Sequence, residues 1–279
     1  MALTPSTCAA LAKMTIMSHR GARGQPGDSA IVTASSIRSL VVQGIRAIDL
    51  DLFWTRDGTA VVAHPIGVQH LLPRHVRNAF ELTEAEAMTL SGGPLLRLPS
   101  LLELAREFNL TLALDMKGVD REGYMRHLSS MTRQVVAKNL QRSIHIWAPS
   151  AREAAVLRRR ISNNFSQQVA SELRFAKPLL DKGAPVNAAG RPLCVGQINA
   201  DDHVFDLLGP SDTCAGASLF RSEAVLPWHR APRGFMVWTV DKASRLPELA
   251  RAGVQRVISN KPLAMEAARQ QLLRGTCGA

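Results

Sequence analysis

The chain has 279 residues, 46% of them apolar, which suffices for one large domain or two small ones and excludes a disordered or fibrous protein. Lys and Arg outnumber Asp and Glu by 34 to 23, and the resulting formal charge of +11 favours anionic partners, including an anionic membrane surface. One Tyr and eight Phe are too few for a surface that stacks single-stranded nucleic acid, so we expect no nucleic-acid partner. No apolar run approaches the roughly 18 residues that a membrane-spanning helix needs.

Short apolar runs alternate with amphipathic stretches in the first part of the chain, which is typical of βα units around a parallel sheet. The predicted strands cover residues 15–18, 46–53, 59–63, 110–116 and 143–147. The predicted helices cover residues 30–43, 99–108, 121–139 and 151–161. Gly44 is a natural end for the first of these helices.

The second part is less regular. We predict a strand within 165–173, and the Pro- and Gly-rich stretch 177–233 offers only two weak strand candidates, at 193–198 and 216–220. Regular strands at 235–240 and 254–259 then alternate with helices at 243–252 and 262–273. About eight βα units in a chain of this length predict a (β/α)8 TIM barrel, of class α/β, with residues 1–279 forming a single domain.

The four cysteines, Cys8, Cys194, Cys214 and Cys277, are scattered, without a CxxC pair or a His at zinc-ligand spacing. They predict neither a metal cluster nor a disulfide framework, and they favour a reducing compartment. Residues 1–13 carry no convincing targeting signal. We therefore expect a cytoplasmic protein, with peripheral membrane association left open.

Two acidic residues in one predicted strand are the first indication of a functional site. Asp49 and Asp51 alternate with aliphatic residues, so both carboxylates point to one face of the strand. Unpaired buried carboxylates cost several kcal/mol by common estimates, so a cation is expected beside them. Carboxylate oxygens are suited to Mg²⁺ or Ca²⁺.

A hairpin is predicted to return a histidine to these acids. Asp57-Gly58 lies between two strand-like runs and is a strong turn signal. A register symmetric about this pair puts His64 opposite Asp51, where an imidazole can serve acid–base chemistry. His19 follows the first strand, at the end of the barrel where active sites are built.

A third acid, Asp115, ends another apolar strand, with Lys117 on the same face two residues later. Arg20 adds a second cation beside His19. Three carboxylates, two histidines and two cations at one barrel mouth predict a metal-assisted phosphate site. The simpler interpretation of the acid pair is a salt-bridged barrel interior, with Arg46 nearby.

Several segments, in order along essentially the whole chain, resemble the glycerophosphodiester phosphodiesterase family. They are the His-Arg-Gly opening at 19–21, the acid-x-acid strand at Asp49 and Asp51, the hairpin TRDGTAVVAH ending at His64, the helix start LPSLLELA, the acid-x-Lys strand at Asp115 and Lys117, and WTVD at Trp238 followed by AGVQRVISNKP.

The resemblance implies a TIM barrel that hydrolyses glycerophosphodiesters to glycerol 3-phosphate and an alcohol with a divalent cation. It implies the following site: Asp49, Asp51 and Asp115 as metal ligands, His19 and His64 as the acid–base pair, Arg20 and Lys117 on phosphate oxygens, and Trp238 as the pocket floor. The substrate would be a small phosphodiester or a lysophospholipid.

The chain departs from the family pattern at several positions. Asp49 and Asp115 stand where the family usually has Glu, Pro65 replaces an Asp after the second histidine, and GQPGDSAIVTAS replaces a Pro-Glu-Asn-Thr segment. Two alternatives therefore stay open. One is a lysophospholipase D or a sphingomyelinase D-like lyase, and the other is a catalytically weak barrel that binds phospholipid headgroups or a protein partner.

Overall fold

The structure is a computed structural model that describes residues 3–22, 24, 31–118, 121–148, 150–179, 207–210 and 235–278. Eight parallel strands pair side by side in a closed ring, which confirms the predicted barrel. In ring order they are β1 (Thr15–His19), β2 (Ala47–Trp54), β5 (Thr111–Met116), β6 (Ile144–Trp147), β7 (Arg174–Leu179), β8 (Leu207–Pro210), β9 (Phe235–Val237) and β10 (Val254–Ser259). Two short antiparallel strands, β3 (Ala60–Val62) and β4 (Leu96–Arg97), extend the sheet beyond β2.

The helices of the described residues accompany the strands. They are α1 (Pro5–Lys13), α2 (Ala34–Val42), α3 (Glu84–Met88), α4 (Leu98–Glu107), α5 (Arg121–Ala137), α6 (Ala151–Asn164), α7 (Gln167–Glu172), α8 (Leu246–Arg251) and α9 (Pro262–Thr276). None of them is both long and apolar enough to cross a membrane. The weak strand candidates at 193–198 and 216–220 lie outside the described residues.

Alternation along the strands divides the core into two layers. Outward-facing Leu, Ile and Val side chains pack against the helices in one large apolar cluster. The inward-facing side chains form a second cluster inside the ring, made largely of small or flexible residues: Met17, Ala47, Ala113, Trp147, Ala176, Met236 and Ile258, with Trp238 packed against them. Because β2 is covered on both sides, all of its residues are buried, including both of its acids.

The strand predicted within 165–173 is wrong. This stretch forms α7, whose N-terminus is capped by Ser166 accepting a hydrogen bond from the Val169 amide at 3.1 Å, and β7 begins only at Arg174. The first predicted helix also begins later than expected, at Ala34, after Thr33 forms a capping box with Ser36.

The predicted hairpin exists, but its register is shifted by one residue. Phe53 pairs with Val61, and the Thr55 amide donates to the Thr59 carbonyl at 2.9 Å. The turn therefore has three residues and ends at Gly58, whose φ of +93° glycine adopts without strain. Continued from these pairs, the register puts Asp51 opposite Ala63 and not opposite His64.

The cysteine prediction is also wrong. Cys8 in α1 and Cys277, which follows α9, form a disulfide between residues 269 positions apart in sequence. Ring closure explains this pairing, because β1 lies beside β10 and the helices before and after these strands pack together. Disulfides persist in oxidising compartments. The reducing compartment expected from the cysteines is therefore not supported by this pair, and the cytoplasmic location stays a prediction.

Candidate active site

A cavity of about 290 Å³ opens at the carboxyl end of the barrel strands. It is lined by His19, Arg20, Asp49, Asp51, Asp115, Met116, Lys117, Tyr124, Trp147, Trp238 and Ile258. Seven of the eight residues predicted for the site are among them. The volume is at the lower limit of small-molecule sites, so this is a pocket for a compact polar ligand.

His19 is oriented by a chain of hydrogen bonds from the far end of the sequence. Its Nδ1 lies 2.7 Å from Oδ1 of Asn260. The Asn260 amide nitrogen Nδ2 donates to Oδ2 of Asp241 at 2.8 Å, and the backbone N–H of Asn260 donates to Oδ1 of the same carboxylate at 2.8 Å. Because Asp241 fixes the amide orientation, the atom facing His19 is an acceptor, so Nδ1 carries the proton and Nε2 has a free lone pair.

Burial lowers the pKa of His19, although the contact with Asn260 opposes the shift. The imidazole is therefore neutral at neutral pH. A neutral ring with a fixed Nδ1 proton can accept a proton at Nε2.

The paired acids of β2 are among the few buried carboxylates in the described part of the chain. Asp49 and Asp51 expose only 8% and 6% of their surface. The indole Nε1 of Trp147 donates to Oδ1 of Asp49 at 2.9 Å. Burial, followed by the charge of Asp51, raises the pKa of Asp49 to about 8.

Lys117 lies between two of the acids. Its Nζ is 3.0 Å from Oδ1 of Asp51 and 2.5 Å from Oδ2 of Asp115. These two carboxylates raise the pKa of Lys117 against the opposing effect of burial. Burial raises the pKa of Asp115 against the charge of Lys117. The ammonium thus partly neutralises this group of acids.

Arg20 approaches the acids from the other side, with its Nε 2.8 Å from Oδ2 of Asp51. Its backbone N–H donates to the Asp49 carbonyl at 2.7 Å, and its φ of +53° is uncommon for a residue other than glycine. Gly21 follows with a φ of +69°, and a Cβ there would lie 3.3 Å from Val32. The His-Arg-Gly sequence therefore forms a tight turn that directs both polar side chains to the pocket.

His64 lies on the loop after β3, near the pocket but not among its lining residues. Burial lowers the pKa of His64, and the charge of Asp51, the next largest influence, raises it. The imidazole is therefore within electrostatic range of the acids despite the shifted hairpin register. The backbone N–H of Ile66 donates to Nδ1 of His64 at 3.2 Å, which leaves the proton of the neutral ring on Nε2.

The donor set fits a hard divalent cation. Oxygen ligands are available from three carboxylates, and Oδ2 of Asp51 is buried without a hydrogen-bond donor, since its contact with Arg20 lacks hydrogen-bond geometry. Within the residues described, no three His, Cys, Asp or Glu side chains converge as a finished metal site. Lys117 occupies the space between Asp51 and Asp115 instead.

Four residues that shape the walls or orient His19 had no role in the predicted site, as was also true of Met116 and Ile258 in the cavity lining. Trp147 and Tyr124 form apolar walls, and Asn260 and Asp241 orient His19. Asp241 and Asn260 lie in the segments WTVD and AGVQRVISNKP that carried part of the resemblance. No sequence pattern marked Trp147 and Tyr124 as residues of the site, because an aromatic residue in a βα unit is ordinarily a core residue.

Comparison with known proteins identifies the family. The profile of the Glycerophosphoryl diester phosphodiesterase family matches residues 19–264. The chain belongs to this family. Membership confirms the resemblance and places the chain among the phosphoric diester hydrolases. The match begins at His19 and includes every predicted site residue.

Solved structures of the glycerophosphodiester phosphodiesterase family have the same fold. The enzyme from Agrobacterium tumefaciens is 19% identical with a TM-score of 0.63, covering 92% of this chain and 99% of that one. The enzyme from Parabacteroides distasonis is 16% identical with a TM-score of 0.66, covering 93% and 98%. A phosphodiesterase from Oleispira antarctica, in complex with the product sn-glycerol-3-phosphate, is 16% identical with a TM-score of 0.63, covering 94% and 99%. No curated protein sequence matches this chain significantly.

Proposed function

We propose that this protein hydrolyses glycerophosphodiesters to glycerol 3-phosphate and an alcohol, with a divalent cation. The observation that supports this most is the placement of a neutral His19, held by Asn260, in the same pocket as three carboxylates and two cationic side chains. The Oleispira antarctica structure contains sn-glycerol-3-phosphate, which supports the proposed product.

Asp49, Asp51 and Asp115 would hold the cation, Mg²⁺ or Ca²⁺. When bound, it would neutralise phosphate charge and polarise the phosphoryl oxygens. Lys117 and Arg20, which contact the acids in this structure, would bind phosphate oxygens. Trp238, at the end of β9, would form the floor beneath the glycerol unit.

His19 is the proposed general base. Its Nε2 lone pair takes a proton from the attacking water as the new oxygen–phosphorus bond forms, while Asn260 and Asp241 hold the ring in the required tautomer. The Nδ1 proton stays on His19 throughout the step.

His64 is the proposed donor to the leaving alcohol, because its Nε2 bears the proton. The oxygen–phosphorus bond to the alcohol breaks, and the departing oxygen takes that proton. Full transfer requires the imidazolium form, in which Nδ1 is also protonated and the Ile66 N–H must move away. The negative charge of a bound phosphodiester favours this form.

The test is turnover of glycerophosphocholine by the purified chain with Mg²⁺ or Ca²⁺, followed by phosphorus NMR. Glycerol 3-phosphate is expected, with activity lost in EDTA and restored by added metal. His70→Ala, on the exposed segment after the hairpin, serves as the control and should retain full activity. A cyclic phosphodiester product from lysophospholipid would indicate lyase chemistry instead, and a folded protein without turnover on either substrate would indicate a catalytically weak barrel.

A further inference from the structure

A second cavity lies outside the barrel, between α5 and α6. This groove has a volume of about 610 Å³, roughly twice that of the catalytic cavity. Two stripes of residues at helical spacing face each other across it. On α5 they are Glu122, Met125, Arg126, Ser129 and Arg133, and on α6 they are Leu157, Arg160, Ile161 and Asn164.

The groove has an apolar floor. Leu157 and Ile161 are buried beneath it, and Met125 is partly buried at its side. The Arg160 Nη1 donates to Oγ of Ser129 at 2.7 Å and so links α6 to α5. A groove of this volume and character can accommodate a small apolar chain.

The rim of the groove is cationic. Arg126, Arg133 and Arg160 are all exposed, and among the residues that the structure describes none of the three forms an ion pair. Glu122 is the sole acid among the described residues of the lining, and three arginines accompany it, so this set has an excess of positive charge. Arginine side chains recognise phosphate groups well because the guanidinium presents several donors in a fixed plane.

Apolar floor and arginine rim together match a ligand that is anionic at one end and aliphatic at the other. A hydrophilic anion would leave the floor uncovered, whereas a neutral lipid would gain no charge attraction from the three guanidinium groups. We propose that this α5–α6 groove binds one anionic phospholipid at a membrane surface. Its phosphate contacts the arginines, and the beginning of an acyl chain lies on Met125, Leu157 and Ile161.

Such binding would place α5, which lines both cavities, at the lipid surface. α5 is common to both sites, since Tyr124 lines the catalytic cavity and the next residue, Met125, lines the groove. The lipid site is nevertheless separate from the chemistry, because Arg133 and Arg160 lie on the groove alone among the cavities described.

The experiment is co-sedimentation of the full chain with phosphatidylcholine vesicles, with and without phosphatidylglycerol. The variant Arg133→Gln/Arg160→Gln should bind the anionic vesicles about 30-fold more weakly, since each basic residue at an anionic surface contributes roughly a fivefold factor. The matched control, Arg251→Gln/Arg274→Gln, removes the same charge from exposed positions on α8 and α9 and should bind within about threefold of the unaltered protein.

Met125→Gln tests the floor without changing the charge and should weaken binding at least about threefold. Turnover of soluble glycerophosphocholine should stay unchanged in the arginine variants, which shows that they fold. If both double variants lost vesicle binding equally, or if Met125→Gln bound vesicles as well as the unaltered protein, binding would be explained by general electrostatic attraction. Either result would overturn the proposed lipid site in the groove. Binding of polyglutamate with the same arginine dependence, without vesicle binding, would assign the groove to an acidic peptide and also overturn the proposal.

Discussion

Asn260→Ala is expected to impair catalysis by releasing His19 rather than by removing a reacting group. In the structure Asn260 accepts from Nδ1 at 2.7 Å and is itself held by Asp241. Without the amide, the ring can rotate, and the tautomer with its proton on Nε2 competes with the reactive one. The loss of one hydrogen bond, about 0.5–1.5 kcal/mol, together with this competition predicts a fall in kcat of about 10- to 50-fold.

The pH profile separates this role from a merely structural one. Because the contact with Asn260 raises the pKa of His19 against the effect of burial, its removal should lower that pKa further. The acidic limb of the kcat/KM profile should then move to lower pH. Asn164→Ala, at the end of α6 on the outer surface, is the control and should move neither kcat nor the profile.

A double-mutant comparison sharpens the test. His19→Ala alone should cost about 10²–10⁴-fold, and Asn260→Ala should cost nothing more in that background, since Asn260 acts through the imidazole. Losses that multiply, or an unchanged acidic limb in the single variant, would refute the assignment of Asn260 and with it the tautomer proposed for His19.

Three further outcomes follow from the geometry. His64→Ala should lower kcat about 10²–10⁴-fold yet leave divalent-cation binding by calorimetry nearly intact, whereas Asp51→Ala should abolish both; equal metal affinities in the two variants would contradict these roles. The pKa of Asp49 is raised from 3.8 to about 8, so between these pH values the folded state retains a proton that the unfolded chain loses. In EDTA, the free energy of unfolding should therefore fall as the pH rises through this range, by up to about 1.4 kcal/mol per pH unit. Denaturant titrations of Asp49→Asn should show a flatter slope. Cys8→Ser/Cys277→Ser should lower the unfolding free energy by up to about 5 kcal/mol, and a thermal melt that is identical with and without reductant would show that the pair is not oxidised.

Local pattern was enough to predict the three strands that carry His19 and the acids of the site. β1, β2 and β5 were predicted to within one residue at each end, because long apolar runs end in chemically distinct side chains. α7 was mistaken for a strand although Phe165, Val169 and Leu173 recur every four residues, which is a helical period. Ser166 then provides the cap.

Contacts that depend on ring closure could not be read from the sequence. Asn260 reaches His19 because Ser18 of β1 pairs with Ser259 of β10. Trp147 reaches Asp49 across the barrel interior, since β6 is not a neighbour of β2 in the ring. The one-residue error in the hairpin has a local cause, because a three-residue turn ending at Gly58 and a two-residue turn at Asp57-Gly58 share the same signal.

The charges of the pocket favour the binding of the proposed cation. Asp49, Asp51 and Asp115 oppose Arg20 and Lys117, so the five groups sum to about −1 when all are ionised and to about zero when Asp49 keeps the proton that its raised pKa favours. Neither state attracts a phosphodiester anion. Asp49, Asp51 and Asp115 would hold a divalent cation, which would give this set a net positive charge and would compete with Lys117 for the carboxylates. The Asp side chain at 115, about 1.5 Å less extended than a Glu would be, has its Oδ2 2.5 Å from the Lys117 ammonium. Cation and phosphodiester should therefore bind cooperatively, each favouring the rearrangement of Lys117 that the other needs.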